Sequence, residues 1–389
     1  MLVPTDARPR GASAPSPLRA RPERSCRRMS SPIPDGAEAQ GESRRQRLAR
    51  FVHAARLLPA LGGLRSALRR DLRLLAYHRV RDIGRLDAFE FDLELVSASA
   101  AQFRAQMHWI STRMHPVSMR DVLAALDGGA PLPRDAVVVT FDDGYDDNYT
   151  VAFPILRELG VPATFFVSTG HIESGMPYRY DWLVHMLCRT DATRLLAPEI
   201  GVDAAIPAAR AERRQLAEYL LDRIKSLDDA GQLALIARLE REWSLPCAAP
   251  HPDCHPLGWA QLREMQDAGM EIGGHGVHHR MLAKLPREEM REELRQCKAA
   301  LDRELPRPVF ALSYPVGGLD AVDAEVTAAA SDVGFRLGCT YVSGTWRMRG
   351  DDRFMIPRLP VERMMDDAWF AAMVSLPEVF SYHSRVRAA

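Results

Sequence analysis

The sequence predicts an α/β protein built on a parallel sheet, open or closed into a barrel. Ala136-Val137-Val138-Val139-Thr140-Phe141 is a continuous β-branched run, the pattern of a strand buried on both faces. Ala163-Thr164-Phe165-Phe166-Val167 repeats that pattern one helical stretch later. Around both, short apolar runs alternate with helical periodicities, and such alternation specifies parallel strands joined by helical crossovers.

The elements follow in chain order. Residues 1–45 are rich in Arg, Pro, Ser, Gly and Ala and almost lack large apolar side chains. They cannot offset their ordering entropy and are expected to be a disordered tail. No apolar stretch follows their charges, as a secretory signal would require. A cytoplasmic location, at most peripheral at the inner membrane face, is therefore expected. Residues 46–70 read as one amphipathic helix, with Phe51, Val52, Leu57, Leu58, Leu61, Leu64 and Leu68 near helical spacing and arginines between them. Such a helix either packs on the main domain or contacts an anionic membrane through residues 51–68, and the pattern does not separate the two.

The main domain is expected over 71–389. Strands are expected at 74–78, 136–141, 163–167, 271–273, 309–312 and 336–339, and helices at 101–110, 119–126 and 152–159. Residues 185–255 carry helical patterns, at 210–224 and 230–243, without a convincing strand. They are expected to form a helical insertion, whose exit is marked by Pro246, Pro250, Pro252 and Pro256.

Composition excludes several classes. Of 389 residues, 51 are Lys or Arg and 51 Asp or Glu, and this zero balance argues against a general nucleic-acid binder. The six cysteines form no CxxC pair, so neither a disulfide scaffold nor a zinc ribbon is expected. No apolar run is long enough for a membrane-spanning helix.

The chemistry gathers where strands end. Asp142-Asp143-Gly144 leaves the Val-rich strand at its C-terminal edge, where parallel α/β folds build their sites. Adjacent carboxylates leaving a strand point different ways, so one can bind a metal while the other holds a water near it. Asp-Gly is also an ordinary turn. The second cluster is His275-Gly276-Val277-His278-His279, after the strand expected at 271–273. If the chain turns helically there, His275 and His279 share a face and can chelate one divalent ion, with His278 as a three-residue alternative to His279. With Asp143 they make two imidazoles and one carboxylate, leaving positions open for water and substrate.

Together these clusters resemble the polysaccharide deacetylase family, the NodB-homology or carbohydrate esterase family four fold. Thr140-Phe141-Asp142-Asp143-Gly144 is similar to its first motif. His275 to Leu282 is similar to its second, with Gly276 where Ser or Thr is usual. Phe310-Ala311-Leu312-Ser313-Tyr314-Pro315-Val316-Gly317 is similar to its third, without the Arg often found there. The resemblance runs from about His78 to Pro360, apart from the insertion. It implies a distorted (β/α) barrel of about seven strands. It implies Asp142 as general base and Asp143, His275 and His279 as ligands of a divalent ion, zinc first, with cobalt, nickel or iron as the other candidates. The implied reaction is hydrolysis of N-acetyl groups on an amino-sugar polysaccharide or precursor. A backbone N–H near Tyr314 would serve as an oxyanion donor, and Tyr314 and Pro315 would line the substrate site.

Other residues follow from the same resemblance. Arg358, in a segment similar to the family's late Asp…Pro-Arg stretch, either orients Asp142 or belongs to a surface ion pair. Trp182, in Tyr180-Asp181-Trp182, either lines a sugar cleft or packs in a core. The family often takes its general acid from a late Leu-x-His strand, which this chain lacks after Pro360. His78 ends an early apolar strand, and in a closed barrel the first and last strands are neighbours. His78 is therefore the expected acid, in the manner of circularly permuted relatives, with His383 as the competitor. The alternatives to deacetylation are a carbohydrate-binding barrel without turnover, and an esterase or deformylase acting on a glycan or lipid-linked sugar.

Overall fold

A computed structural model describes residues 43–382. The expected tail lies outside these residues except for 43–45, and His383 lies outside them too. Ser43 caps α1 (Arg44–Ala54): its hydroxyl accepts from the Gln46 N–H while the Gln46 side chain accepts from the Ser43 N–H. The single helix expected over 46–70 is in fact two. Arg56 turns left-handed at φ 55°, and Pro59, which cannot continue a helix but suits the start of one, opens α2 (Leu58–Leu68).

The main domain then begins: β1 (Arg73–Tyr77), β2 (Arg79–Val80), β3 (Val96–Ala98), α3 (Ala100–Arg113), β4 (His115–Pro116), α4 (Met119–Leu126), β5 (Ala136–Phe141), α5 (Phe153–Leu159), β6 (Ala163–Val167) and α6 (Thr169–Ser174). The insertion starts earlier than expected, with α7 (Arg179–Arg189). It continues through β7 (Arg194–Ala197), β8 (Val202–Ala205), α8 (Arg210–Ile224) and α9 (Asp229–Trp243). β7 and β8 form an antiparallel hairpin, so the insertion is not purely helical. Its Leu and Ile side chains close a core of their own, around Leu183, Leu187, Leu195, Leu220 and Leu239. The chain returns through α10 (Trp259–Asp267), β9 (Glu271–Gly274), α11 (Arg287–Glu304), β10 (Ala311–Ser313), α12 (Ala324–Asp332), β11 (Leu337–Ser343), β12 (Ile356–Pro360), α13 (Asp367–Ser375) and α14 (Pro377–Phe380).

Seven parallel strands close a barrel in the order β1-β12-β11-β10-β9-β6-β5, with β5 pairing back to β1. β4 adds two residues at the start of β5. Side chains alternate between two cores. Val137, Val139 and Phe141 belong to the larger one, between strands and helices. Ala136 and Val138 belong to an inner one with Leu74, Phe166, Ala311, Leu337 and Ile356. The period of a strand is two, so the inner column of β5 continues through Thr140 to Asp142, that of β10 to Ser313 and that of β12 to Arg358. A polar cluster thus caps the inner core at the C-terminal edge. α1 and α2 both pack against α13.

Candidate metal centre

Two tight turns aim the ligands. After β5 the chain reverses through Asp143 at φ 72° and Gly144 at φ 69°. A Cβ on Gly144 would come within 2.7 Å of Val167 Cγ1, so only glycine fits this corner. After β9 the expected helical turn is absent. His275 to Met281 is a loop, with Gly276 at φ 74° and His279 at φ 53°, and left-handed backbone brings the two imidazoles together.

The result is a three-ligand cluster of Asp143, His275 and His279 whose ligand atoms all lie within 4.8 Å of one another. Each Nε2 stands 3.3 Å from Asp143 Oδ1. His275 Nδ1 lies 2.7 Å from the Ser313 carbonyl, which can only accept, so Nδ1–H donates to it and Nε2 is turned toward Asp143. Asp143 Oδ1 is buried with no hydrogen-bond partner. A buried carboxylate oxygen and two imidazole nitrogens converging on one point are a donor set that fits a divalent ion. Burial alone would push the Asp143 pKa up, but the facing His275 and His279 rings hold it well below the usual carboxylate range. Burial pushes His279 down despite Asp143; for His275, burial is outweighed by Asp143 and Asp142 and the pKa is raised.

Asp142 has different surroundings. Arg358, fully buried, donates from Nη1 and Nη2 to its two oxygens at 2.8 and 2.6 Å. The guanidinium is itself fixed by the Thr340 carbonyl at 2.8 Å, Ser313 Oγ at 2.9 Å and Thr140 Oγ1 at 3.2 Å. Arg358 is therefore no surface ion pair. Burial would raise the Asp142 pKa, and Arg358 more than offsets it, holding the carboxyl below its ordinary value.

His78 follows β1. Tyr77 is in register with Phe141, and the Asp142 N–H donates to the Tyr77 carbonyl at 2.9 Å, so His78 and Asp142 leave neighbouring strands at one level. β1 also pairs with β12, the last strand. His78 Nδ1 is buried without a hydrogen-bond partner, and its ring lies 5.3 Å from that of Tyr341.

The remaining expected positions have different settings. Trp182 packs in the insertion core, stacked on His185 at 4.5 Å with its indole N–H donated to the Leu245 carbonyl. Tyr180, half-buried and edge-on to His279 at 6.2 Å, is the aromatic of that triplet nearer the ligands. Tyr314 is a core residue whose N–H is donated to the Cys339 carbonyl, so its own amide is not the oxyanion donor. Pro315 is buried beside Gly276. His278 turns outward to Glu293 and is no ligand.

Two supporting residues escaped the sequence reading. Glu293 Oε1 accepts from the Val277 and His278 N–H groups at 2.9 and 2.6 Å, and Oε2 lies 3.0 Å from His278 Nδ1. A glutamate on the apolar stripe of α11, with Met290, Leu294 and Cys297, was the available signal. The Tyr178 hydroxyl donates to the Asp143 carbonyl, for which no sequence signal existed.

Closed parallel barrel and strand-end ligands define an α/β-barrel protein with a candidate metal site at its C-terminal edge. The chain belongs to the polysaccharide deacetylase family, whose model matches residues 129–338. A poly-β-1,6-N-acetyl-D-glucosamine N-deacetylase of Escherichia coli (strain K12) is 37% identical over 92 residues, 23% of this chain and 13% of that protein. One of Staphylococcus aureus (strain MSSA476) is 31% identical over 105 residues, 25% of this chain and 36% of that protein. The chain thus spans well under half the length of either relative. The fold is similar to that of Streptococcus pyogenes deacetylase PplD in complex with acetate, with a TM-score of 0.51 and 19% identity over 80% of this chain and 99% of that one.

Proposed function

We propose that this chain is a metal-dependent N-deacetylase acting on a polymer of N-acetylated amino sugar, with β-1,6-linked N-acetylglucosamine the first substrate to test. One observation carries the reading: an Arg358-clamped carboxylate stands beside a two-imidazole, one-carboxylate ligand set, with a histidine level with it on the neighbouring strand. A divalent ion held by Asp143, His275 and His279, zinc first, supplies Lewis acidity toward an acyl oxygen and a water.

The chain's own residues do the rest. Asp142 accepts a proton from the water as oxygen adds to the acyl carbon. Arg358 keeps Asp142 ionised and fixes its orientation. His78 gives a proton to the amide nitrogen as the C–N bond breaks, and acetate and a free amino sugar remain. An imidazole suits that step because it can both carry a proton and release it.

The test is acetate release from β-1,6-linked N-acetylglucosamine oligomers by zinc-loaded protein. His78→Ala is expected to keep fold and zinc and to lose activity by about 10²-fold or more. Zinc-loaded protein that releases no acetate from any N-acetylated oligomer but cleaves O-acetyl esters would sink the N-deacetylase reading.

A further inference from the structure

α1 and α2, both packed on α13, each show two faces. The inner one carries Ala49, Val52 and Leu58, all buried in the main core. Arg65 is buried as well, bound to Asp71 and Glu378. The outer one is apolar and open. On α2, Leu61, Leu64 and Leu68 are 39%, 60% and 78% exposed, and their spacing puts them on one side of the helix. On α1, Leu48 and Phe51, one turn apart, are 45% and 65% exposed, and Leu57 between the helices is 43% exposed. Single exposed leucines are ordinary; six large exposed apolar side chains within 21 residues are a concentration that calls for a partner.

Charge decides what covers it. From Ser43 to Arg70 there are eight arginines and no Asp or Glu. The acids bound to these helices are already spent: Asp366 on Arg50, Asp71 on Arg65, Glu378 on Arg65 and Arg69, and Asp135 on Ser66 and Arg73. Arg44, Arg47, Arg56 and Arg70 remain exposed. A second copy of this chain would set arginine against arginine across a two-fold axis. An anionic lipid surface instead accepts both parts, apolar side chains among the acyl chains and guanidinium groups at the headgroups.

We propose that α1 and α2 dock this protein on an anionic membrane surface, with Phe51, Leu61, Leu64 and Leu68 inserted and the arginines at the phosphate level. The inner face stays on α13, so docking needs no unfolding of the main domain. The probe is co-sedimentation of the full chain with phosphatidylcholine vesicles, with and without phosphatidylglycerol. Binding is expected only to the anionic vesicles and should weaken as salt rises. L64E/L68E should lower it by about tenfold or more while circular dichroism, melting temperature and any acetate release stay unchanged. Unchanged vesicle binding in that variant overturns the proposal. So does wild-type protein that ignores anionic vesicles, or one that forms a dimer abolished by L64E/L68E, which would make the face a contact between copies.

Discussion

Asp142 and Asp143 are chemically the same and adjacent in sequence, and their neighbours give them different work. Both oxygens of Asp142 accept from Arg358, so its charge is already balanced by the protein. Asp143 Oδ1 faces two ring nitrogens at 3.3 Å and no arginine, the setting of a candidate metal ligand. Asp142→Asn should therefore keep bound zinc and lose turnover, and His275→Ala should lose both, as read by metal analysis beside acetate release. If Asp142→Asn stripped the metal while Asp143→Asn retained it, the two roles would be exchanged. The Arg358 clamp makes a second claim, about pH. The Asp142 pKa is depressed in the folded state, so the pair's stabilisation is fully present above the ordinary carboxylate range. It is lost as pH falls through the depressed value. In Arg358→Met the strongest influence opposing burial is lost, with only His275 and His78 left to oppose it, and the Asp142 pKa rises, so the acid limb of the pH–rate profile should move to higher pH. Breaking one side of a buried pair should also cost about 3–5 kcal/mol of stability. An unmoved acid limb in a folded Arg358→Met would mean that Asp142 is not the titrating base.

Elements two layers from the ligands hold them in place. Glu293 on α11 ties down the backbone of Val277 and His278, between the two candidate metal histidines. Asp229 on α9 joins Arg179 at 2.7 Å and Arg280, the residue after His279, at 2.7 Å, which anchors the loop to the insertion. Glu293→Gln offers one acceptor oxygen where two are used. It should weaken zinc binding by about 10- to 100-fold with the fold intact, measured by calorimetric titration. An unchanged affinity would mean that the loop holds its shape without α11. How far such elements can be read from sequence depends on their local chemistry. β5 and β6 were legible because every residue is buried and β-branched or aromatic residues dominate. β12 was not, because Ile356-Pro357-Arg358-Leu359-Pro360 holds two prolines that cannot donate to a ladder, although it lies between β1 and β11. That disguise also hid the setting of Arg358. The β7–β8 hairpin was missed because Arg194-Leu195-Leu196-Ala197 and Val202-Asp203-Ala204-Ala205 carry little β preference. The cluster of Asp143, His275 and His279 was legible as residues but not as geometry, since helical spacing was expected where two left-handed residues do the turning.

At the scale of the molecule, the site exists only because the barrel closes. Asp143 follows β5, His275 and His279 follow β9, and Arg358 comes from β12, more than 200 residues after Asp142. β1 closes the ring between β12 and β5, and this carries His78 to the level of Asp142. Sequence reasoning reached this closure from an argument about first and last strands, and the β1–β12 and β1–β5 pairings bear it out. Ligands so far apart along the chain are scattered when it unfolds, so zinc held by them as proposed would bind the folded state and not the unfolded one. Linkage then fixes the consequence: at a free zinc concentration a hundred times Kd, the folded state gains about 2.7 kcal/mol. Calorimetric melting of metal-stripped protein should show Tm rising by several degrees on zinc addition, and falling back with a chelator. His279→Ala should flatten that response, because two remaining ligands hold zinc too weakly to bias folding. The same zinc-dependent rise in His279→Ala as in the unaltered chain would place the stabilising ion somewhere other than the Asp143–His275–His279 cluster.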